Sequence, residues 1–360
     1  MSKKTTWADV KKRDIAEVAG RVSILRGDAR HTMLANESVD LVVTSPPYFG
    51  LRDYEDDGKP YDGQIGRERS IGAYIYALVE TTIESARVLR ESGSIWVNLG
   101  DRYIDGALKG IPWRFALAVV DAGLILRQEV VWEKPNGFID AKAAGRFRRS
   151  HETWFHFVKS KSYFSNVDAV RVTGSDYNVR PQYRRARELF DAAGLTPEHE
   201  AAVRAVGIID STGGAVRSGG SWDSGSGRLA REVYEALGSY YRELCGQGIA
   251  SLGVIPGSVM SVAAHPFKVP ASLGLKGHFA SFPVEWPGVL IQGWCPPGGT
   301  VLDPFGGTGT TALAATVLGR HGISIDASRD YSRIARWRVS DPAQRARAVE
   351  RIGNLERVTR

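Results

Sequence analysis

The chain has 360 residues, 43% of them hydrophobic, with a formal charge of +7 and a pI near 9.3. It can bury a sizeable core, as one large domain or two ordinary ones, and two cysteines, Cys245 and Cys295, are too few for a disulfide framework. The opening MSKKTTWADVKKRD has no apolar signal segment and FALAVVDAGLIL is broken by Asp121, so a cytoplasmic protein with no membrane partner is expected.

A basic segment occupies 1–20. From 21 to 165 come five apolar, β-branched runs: SILRGDA (23–29), VDLVVTSP (39–46), SIWVNLGD (94–101), LILRQEVVWEK (124–134) and WFHFVKS (154–160). They alternate with helical patterns, which predicts a parallel sheet covered by helices. SIGAYIYALVETTIESARVLRESG opens after Ser70, carries apolar residues at helical spacing and closes on Gly93, as a crossover helix should. From 166 to 265 the texture changes. STGGAVRSGGSWDSGSGR is dense in Gly and Ser, and PEHEAAVRAVG and RLAREVYEALGSYYREL read as amphipathic helices of an inserted domain. Between 165 and 265 there are ten Arg, no Lys and eleven Asp plus Glu, so any polyanion-binding surface there must be local. Strand patterns return within 266–340, in TVLDPFGGTGTTALAATVLG and HGISIDAS, ahead of a basic tail at 341–360. The simplest arrangement puts all seven strands in one sheet.

Two loops stand out. TSPPY (44–48) ends an apolar run on two prolines, which fix their own φ, donate no N–H and push the preceding residue into extended geometry. The result is a stiff turn presenting carbonyl oxygens, the Ser45 hydroxyl and the Tyr48 ring. VLDPFGGTGTTALAA is a strand, a glycine turn and a helix, the junction with which doubly wound folds grip a nucleoside. Thr310 and Thr311 stand where a P-loop needs Lys followed by Ser or Thr, so triphosphate binding is disfavoured. Asp326 ends the next strand, where an acid commonly meets ribose hydroxyls. Carboxylates at Asp303 and Asp326 suit a nucleoside with a cationic tail; the alternative is a tight turn with incidental acids.

With TSPPY, DPFGGTG and their order in view, the chain resembles the S-adenosylmethionine-dependent DNA amino-methyltransferases, which methylate the exocyclic amine of cytosine or adenine, in the permuted β-class arrangement. GHFASFPVEWPGVLI, VVWEKPNGF and RRSHETWFHFVKS are similar to further segments of that family. The resemblance covers 20–165 and 266–330; the inserted region matches nothing nameable and sits where the family keeps its target-recognition domain. It implies a Rossmann-like, circularly permuted α/β sheet of seven strands and S-adenosyl-L-methionine as cofactor. Its substrate would be double-stranded DNA. A homodimer and a cognate restriction endonuclease are further partners it admits. Catalysis falls to Ser45, Pro46, Pro47 and Tyr48. Cofactor contacts fall to Asp28, Thr44, Phe282, Pro283, Glu285, Asp303, Pro304, Phe305, Gly306, Gly307, Thr308, Gly309, Thr310 and Asp326. The arginines in KAAGRFRR (Arg146, Arg148, Arg149) and RPQYRRAR (Arg180, Arg184, Arg185, Arg187) are candidate DNA contacts, or simply solvated faces.

Hydrogen bonds from the amine to the Ser45 hydroxyl and Pro46 carbonyl would localise its lone pair, and Tyr48 offers a stacking face to a base flipped from the duplex. A serine leading the tetrapeptide is commoner in the family's cytosine-N4 enzymes, which favours N4-cytosine over N6-adenine. Carbon-5 methylation would need a cysteine nucleophile, and Cys295 reads as packing. A protein or RNA methyltransferase and a non-enzymatic DNA-binding protein are the other readings.

Overall fold

The computed structural model describes residues 21–51, 55–56, 59–60, 63–136, 145–171, 181–196, 198–199, 202–203, 225–241, 255–265, 267, 269–275 and 281–353. These fall into two compact units, one within Met1–Val170 and Gly257–Thr359, the other within Arg171–Pro256.

The first unit is built on one sheet. Its strands are β1 (Val22–Arg26), β2 (Val39–Thr44), β3 (Leu89–Leu99), β4 (Ile125–Glu133), β5 (His151–Val158), β6 (Val259–Ser261), β7 (Thr300–Asp303) and β8 (His321–Asp326). They lie side by side in the order β1-β8-β7-β2-β3-β5-β4-β6. The short buried runs Leu41–Val43 of β2 and Val301–Leu302 of β7 suit central strands, with Val301 opposite Leu41 and Leu302 opposite Val42. Chain leaves β2 toward β3 and leaves β7 toward β8, so connections diverge between these two neighbours. That is the switch point where open α/β sheets bind ligands, at the strands' carboxyl ends.

Helices cover both faces. On one, α1 (Ile71–Val88) and α2 (Ile111–Asp121) bury Tyr74, Leu78, Phe115 and Val119 against Val42, Ile95 and Phe157. On the other, α5 (Glu285–Trp294), α6 (Thr310–Val317), α7 (Arg329–Ser340) and α8 (Pro342–Gly353) pack Trp286, Ile291, Ala314, Val339 and Ile352 over Leu41, Val43 and Trp154. Two residues of the expected basic tail reach the core: α8 buries Ala348 and Ile352, and a Cβ on Gly288 would lie 2.8 Å from Ile352 Cγ1.

The sheet departs from the seven parallel strands expected. β5 is antiparallel to both β3 and β4. A parallel β4–β5 pair would need a crossover, and KPNGFIDAKAAGRFRRS between them has no helical apolar period to supply one. β6 is an eighth strand inside the stretch assigned to the insertion; it pairs parallel with β4 and is anchored by the Trp132 indole, which donates to the Val262 carbonyl at 2.7 Å. The crossover helix opens as expected, the Ser70 hydroxyl accepting from the Ala73 N–H. It stops at Val88 rather than Gly93 because Leu89 already pairs with Val39. Gly93 serves the bulge that follows: a Cβ there would lie 2.8 Å from the Asp40 carbonyl.

The second unit contains α3 (Pro181–Ala192) and α4 (Gly225–Leu237) around its own core of Ala186, Phe190, Val203, Ala230, Val233, Leu237 and Tyr241.

Candidate active site

The proline turn leaves β2 at Thr44 and is held by its neighbours. Tyr74 of α1 donates its hydroxyl to the Pro47 carbonyl at 2.7 Å, and Arg102 donates to the Phe49 carbonyl at 2.6 Å. Among the described residues none donates to the Pro46 carbonyl. The Tyr48 ring lies against the backbone after β3, where a Cβ on Gly100 would be 2.7 Å from the ring. Its hydroxyl is 2.8 Å from both Asn98 Oδ1 and Glu152 Oε2, and Lys134 pairs with the other Glu152 oxygen. Burial, then the Glu152 charge, pushes the phenol well above its ordinary value, so it stays protonated. Ser45 Oγ is 3.4 Å from Asn98 Oδ1 and 3.5 Å from the Tyr48 hydroxyl. Sequence reasoning missed Asn98, Glu152 and Lys134. The signal was a polar residue inside the apolar run SIWVNLG and an acid alternating with aromatics in HETWF.

The glycine loop is held by close packing of its backbone as well as by hydrogen bonds, the Gly306 N–H donating to the Ile325 carbonyl at 2.8 Å. A Cβ on Gly306 would fall 1.8 Å from Ser324 Oγ, and one on Gly309, at φ +76°, 2.9 Å from Ala335 Cβ. Both glycines therefore let the loop close on β8 and α7, and Gly307 is left to face the ligand side. Thr308 and Thr310 turn inward, each accepting from the buried Arg338 guanidinium at 2.8 Å.

Asp303 joins the two loops. Its Oδ1 accepts from Thr44 Oγ1 at 2.6 Å, across 259 residues of sequence, and from the Phe305 N–H; its Oδ2 accepts from Thr311 Oγ1 at 2.8 Å. Burial raises its carboxyl to about 6 against those three hydrogen bonds. With 1% exposure it is a clamp rather than an open contact.

Between the loops lies a cleft open to solvent. Ser45, Pro47, Pro304, Phe305, Gly307, Asp326 and Asp28 line it together. Asp326 accepts from the Gly307 N–H at 2.9 Å and the Ser328 N–H at 2.8 Å. Burial raises the Asp28 carboxyl, but hydrogen bonds and charge from Arg30 outweigh it and hold the group below its ordinary value. Arg30, Gln64 and Tyr331 also line the cleft and had no sequence signal.

Against known proteins, the profile of the DNA methylase family, which spans N6- and N4-amino methylation, matches residues 39–336. The chain belongs to the N6/N4 DNA methylase family. It is 27% identical over 347 residues to the type II methyltransferase M.SmaI of Serratia marcescens, covering 88% of this chain and 90% of the other. To M.Cfr9I of Citrobacter freundii it is 28% identical over 344 residues, covering 87% and 86%. The solved PvuII DNA methyltransferase (cytosine-N4-specific) shares the fold, with a TM-score of 0.58 at 19% identity over 94% of each chain.

The cofactor of this DNA methylase is S-adenosyl-L-methionine. The cleft fits it: two carboxylates suit a sulfonium-bearing nucleoside, and the backbone at Gly307 is open to close approach. Phe282, Pro283 and Glu285 are not among the cleft-lining residues. Phe282 packs edge-on to Trp154, and Glu285 is buried and accepts from Arg351 at 2.9 Å. Of the candidate DNA contacts, Arg146 stacks on Tyr103, Arg149 pairs with Asp101, and Arg148 is described beside them. Arg185 and Arg187 pair along α3 with Glu188 and Asp191, as solvated helix faces do. Arg180 lies outside the described residues, and of Arg184 only the helical backbone is described. Burial pushes the Cys295 thiol up to about 12 against Arg320, as suits a packing residue rather than a nucleophile for carbon-5 chemistry; Cys245 lies outside the described residues. No described helix is long and apolar enough to cross a membrane.

Proposed function

We propose that this DNA methylase methylates the exocyclic N4 amine of a cytosine flipped out of duplex DNA. The observation that carries the reading is the shared cleft, in which Ser45 faces the same space as Gly307 and Asp326. When bound, S-adenosyl-L-methionine supplies an electrophilic methyl group on a sulfonium. Asp326 would hold the ribose, Asp28 and Tyr331 the adenine, and Gly307 with Phe305 the tail.

An exocyclic amine is a weak nucleophile because its lone pair is delocalised into the ring, so the chain must supply acceptors for its two hydrogens. The Pro46 carbonyl is one. Ser45 can be the other only if its own proton is directed elsewhere, and Asn98 Oδ1 and the Tyr48 oxygen stand on its inner side to take it. Lone pairs of Ser45 Oγ then point to the cleft. Tyr48, pinned by Asn98 and Glu152, presents its ring to the extruded base, a stack worth about 1–3 kcal/mol against an unstacking cost of a few kcal/mol.

Serine at the head of the tetrapeptide favours N4-cytosine; N6-adenine would use the same acceptors. A cognate restriction endonuclease belongs to the same reading, since the relatives are type II methyltransferases. The test is incubation with tritiated S-adenosyl-L-methionine and duplex DNA, RNA or protein, followed by nucleoside analysis. N4-methylcytosine in DNA is expected. N6-methyladenine would overturn the choice of base, and label confined to RNA or protein would overturn the DNA reading.

A further inference from the structure

Extruding a base leaves a hole in the stack, and the socket residues sit on the base's side of it. An apolar side chain can fill it, provided that the side chain is exposed in the free protein and close to the socket. Phe147 is 97% exposed, the most exposed of the large hydrophobic side chains among the described residues.

Its place is fixed by its neighbours. Because β5 runs antiparallel, its first residues lie at the carboxyl ends of β3 and β4: His151 is opposite Glu133, Glu152 opposite Trp132, and Thr153 opposite Leu99. The segment entering β5 therefore arrives at the edge of the sheet that holds the proline turn. Phe147 is five residues before Glu152, the residue that anchors the Tyr48 hydroxyl, so at most about 18 Å of extended chain separates them. The segment is also tied down. The Arg146 guanidinium sits 3.7 Å over the Tyr103 ring, Arg149 pairs with Asp101, and the Ser150 carbonyl accepts from the Lys134 N–H at 2.7 Å. Pinned on both sides, the backbone holds Phe147 outward, between cations, with no acid in GRFRRS.

We propose that Phe147 is a wedge that enters the duplex stack as the target base leaves, with the charges of Arg146 and Arg148 drawn to the flanking phosphates. Apolar side chains inserted between base steps, with arginines against the backbone, are a general means of unstacking DNA. This rests on the DNA base-flipping reading above. Exposure flanked by positive charge favours a polyanion over a second copy of this basic chain.

The test uses the full chain and a duplex carrying the site found by sequencing plasmid DNA methylated by the wild type. Single-turnover methyl transfer is measured with the target base paired, and with the target base opposite an abasic position so that no pair is broken. Phe147→Ala is expected to slow transfer to the paired duplex about 10- to 100-fold and to the abasic duplex less than about 3-fold, since unstacking costs a few kcal/mol and each 1.4 kcal/mol is tenfold. Phe147→Trp should remain within about 3-fold of wild type on both, a ring of either size filling the gap. Equal loss on both duplexes, as a packing or self-association role would give, overturns the wedge, as does no loss on either. Wild-type protein that labels no DNA would overturn the underlying reading and the wedge with it.

Discussion

Two loops end neighbouring strands at the same switch point, and they are made rigid by opposite means. The proline turn loses freedom through its rings, and side chains from α1, β3 and β5 then hold it: Tyr74 on Pro47, Asn98 and Glu152 on Tyr48. The glycine loop loses its side chains instead, and its backbone closes on Ser324 and Ala335. A tethered loop keeps polar groups facing outward at little cost to packing. A packed loop gives the ligand a bare backbone, but the fold depends on it. Changes in the first should therefore cost turnover with the fold intact, and changes in the second should cost the fold.

The largest effect is expected at Ser45. Ser45→Ala removes one acceptor of the amine and should lower kcat by about 100- to 1,000-fold, the scale of deleting one preorganised hydrogen-bonding group. Cofactor affinity by calorimetry and the melting temperature should stay near wild type. A matching loss of cofactor affinity would break the division of labour between the loops.

Gly306→Ala tests the other side. The added methyl meets Ser324 Oγ at 1.8 Å and the Ser324 Cβ at 2.9 Å, so rotation of the serine cannot clear it. The expected loss is about 3 kcal/mol, the upper end for overpacking, read from urea unfolding. Ser324→Gly in the same chain should restore most of it. An unchanged midpoint in the single variant would show that the loop is not packed as described.

This contrast also marks what the sequence could tell. Both loops were legible because each needs residue types that little else requires: consecutive prolines after a strand, and glycines before an alanine-rich helix. The central strands were legible from their short β-branched, apolar runs. The direction of β5 was not, because period and composition are the same for either direction of pairing. β6 has three residues, too few for any alternation to appear. Asn98 and Glu152 are polar residues in strands, whose partners come from a loop 50 and 104 positions away. The cleft residues Arg30, Gln64 and Tyr331 come from loops and a helix end that carry no periodicity. Glycines 306 and 309 suit a ligand loop from their type alone; that they also pack on Ser324 and Ala335 is visible only in the fold.

Asp303, which clamps one loop to the other, gives a smaller effect that depends on pH. Its folded value, about 6, is above its ordinary 3.8, so the folded state binds the proton more tightly than the unfolded chain does. The stability this contributes is present below about 4 and is lost as pH rises through 6. A shift of roughly two units corresponds to about 2–3 kcal/mol. Asp303→Asn removes the titration, and the geometry accommodates it: Thr311 Oγ1 can donate to the Val43 carbonyl at 3.3 Å while accepting from the new amide. Urea midpoints should therefore show the variant gaining on wild type between pH 5 and 7.5. A constant difference across that range would place the carboxyl's titration elsewhere.

The smallest effect is expected for Tyr48→Phe, and it separates the two tasks of that residue. The phenol has one proton and two acceptors at 2.8 Å, Asn98 Oδ1 and Glu152 Oε2, so one of those contacts is always without a hydrogen from Tyr48. With the proton on the Glu152 side, the Tyr48 oxygen and Asn98 both stand ready to accept from Ser45; with it on the Asn98 side, that amide oxygen is shared and Ser45 is freer to turn outward as a donor. A carboxylate paired with Lys134 is a stronger acceptor than an amide oxygen, which favours the first arrangement. Phenylalanine keeps the ring for stacking but removes one of the two groups that draw the Ser45 proton inward. Turnover should fall about 3- to 10-fold, corresponding to one hydrogen bond of about 1 kcal/mol, while Tyr48→Ala should cost a further factor of about 10 through the lost stack. Should Phe and Ala lower kcat equally, the ring would have no part in holding the base and the hydroxyl would be the whole of what Tyr48 contributes.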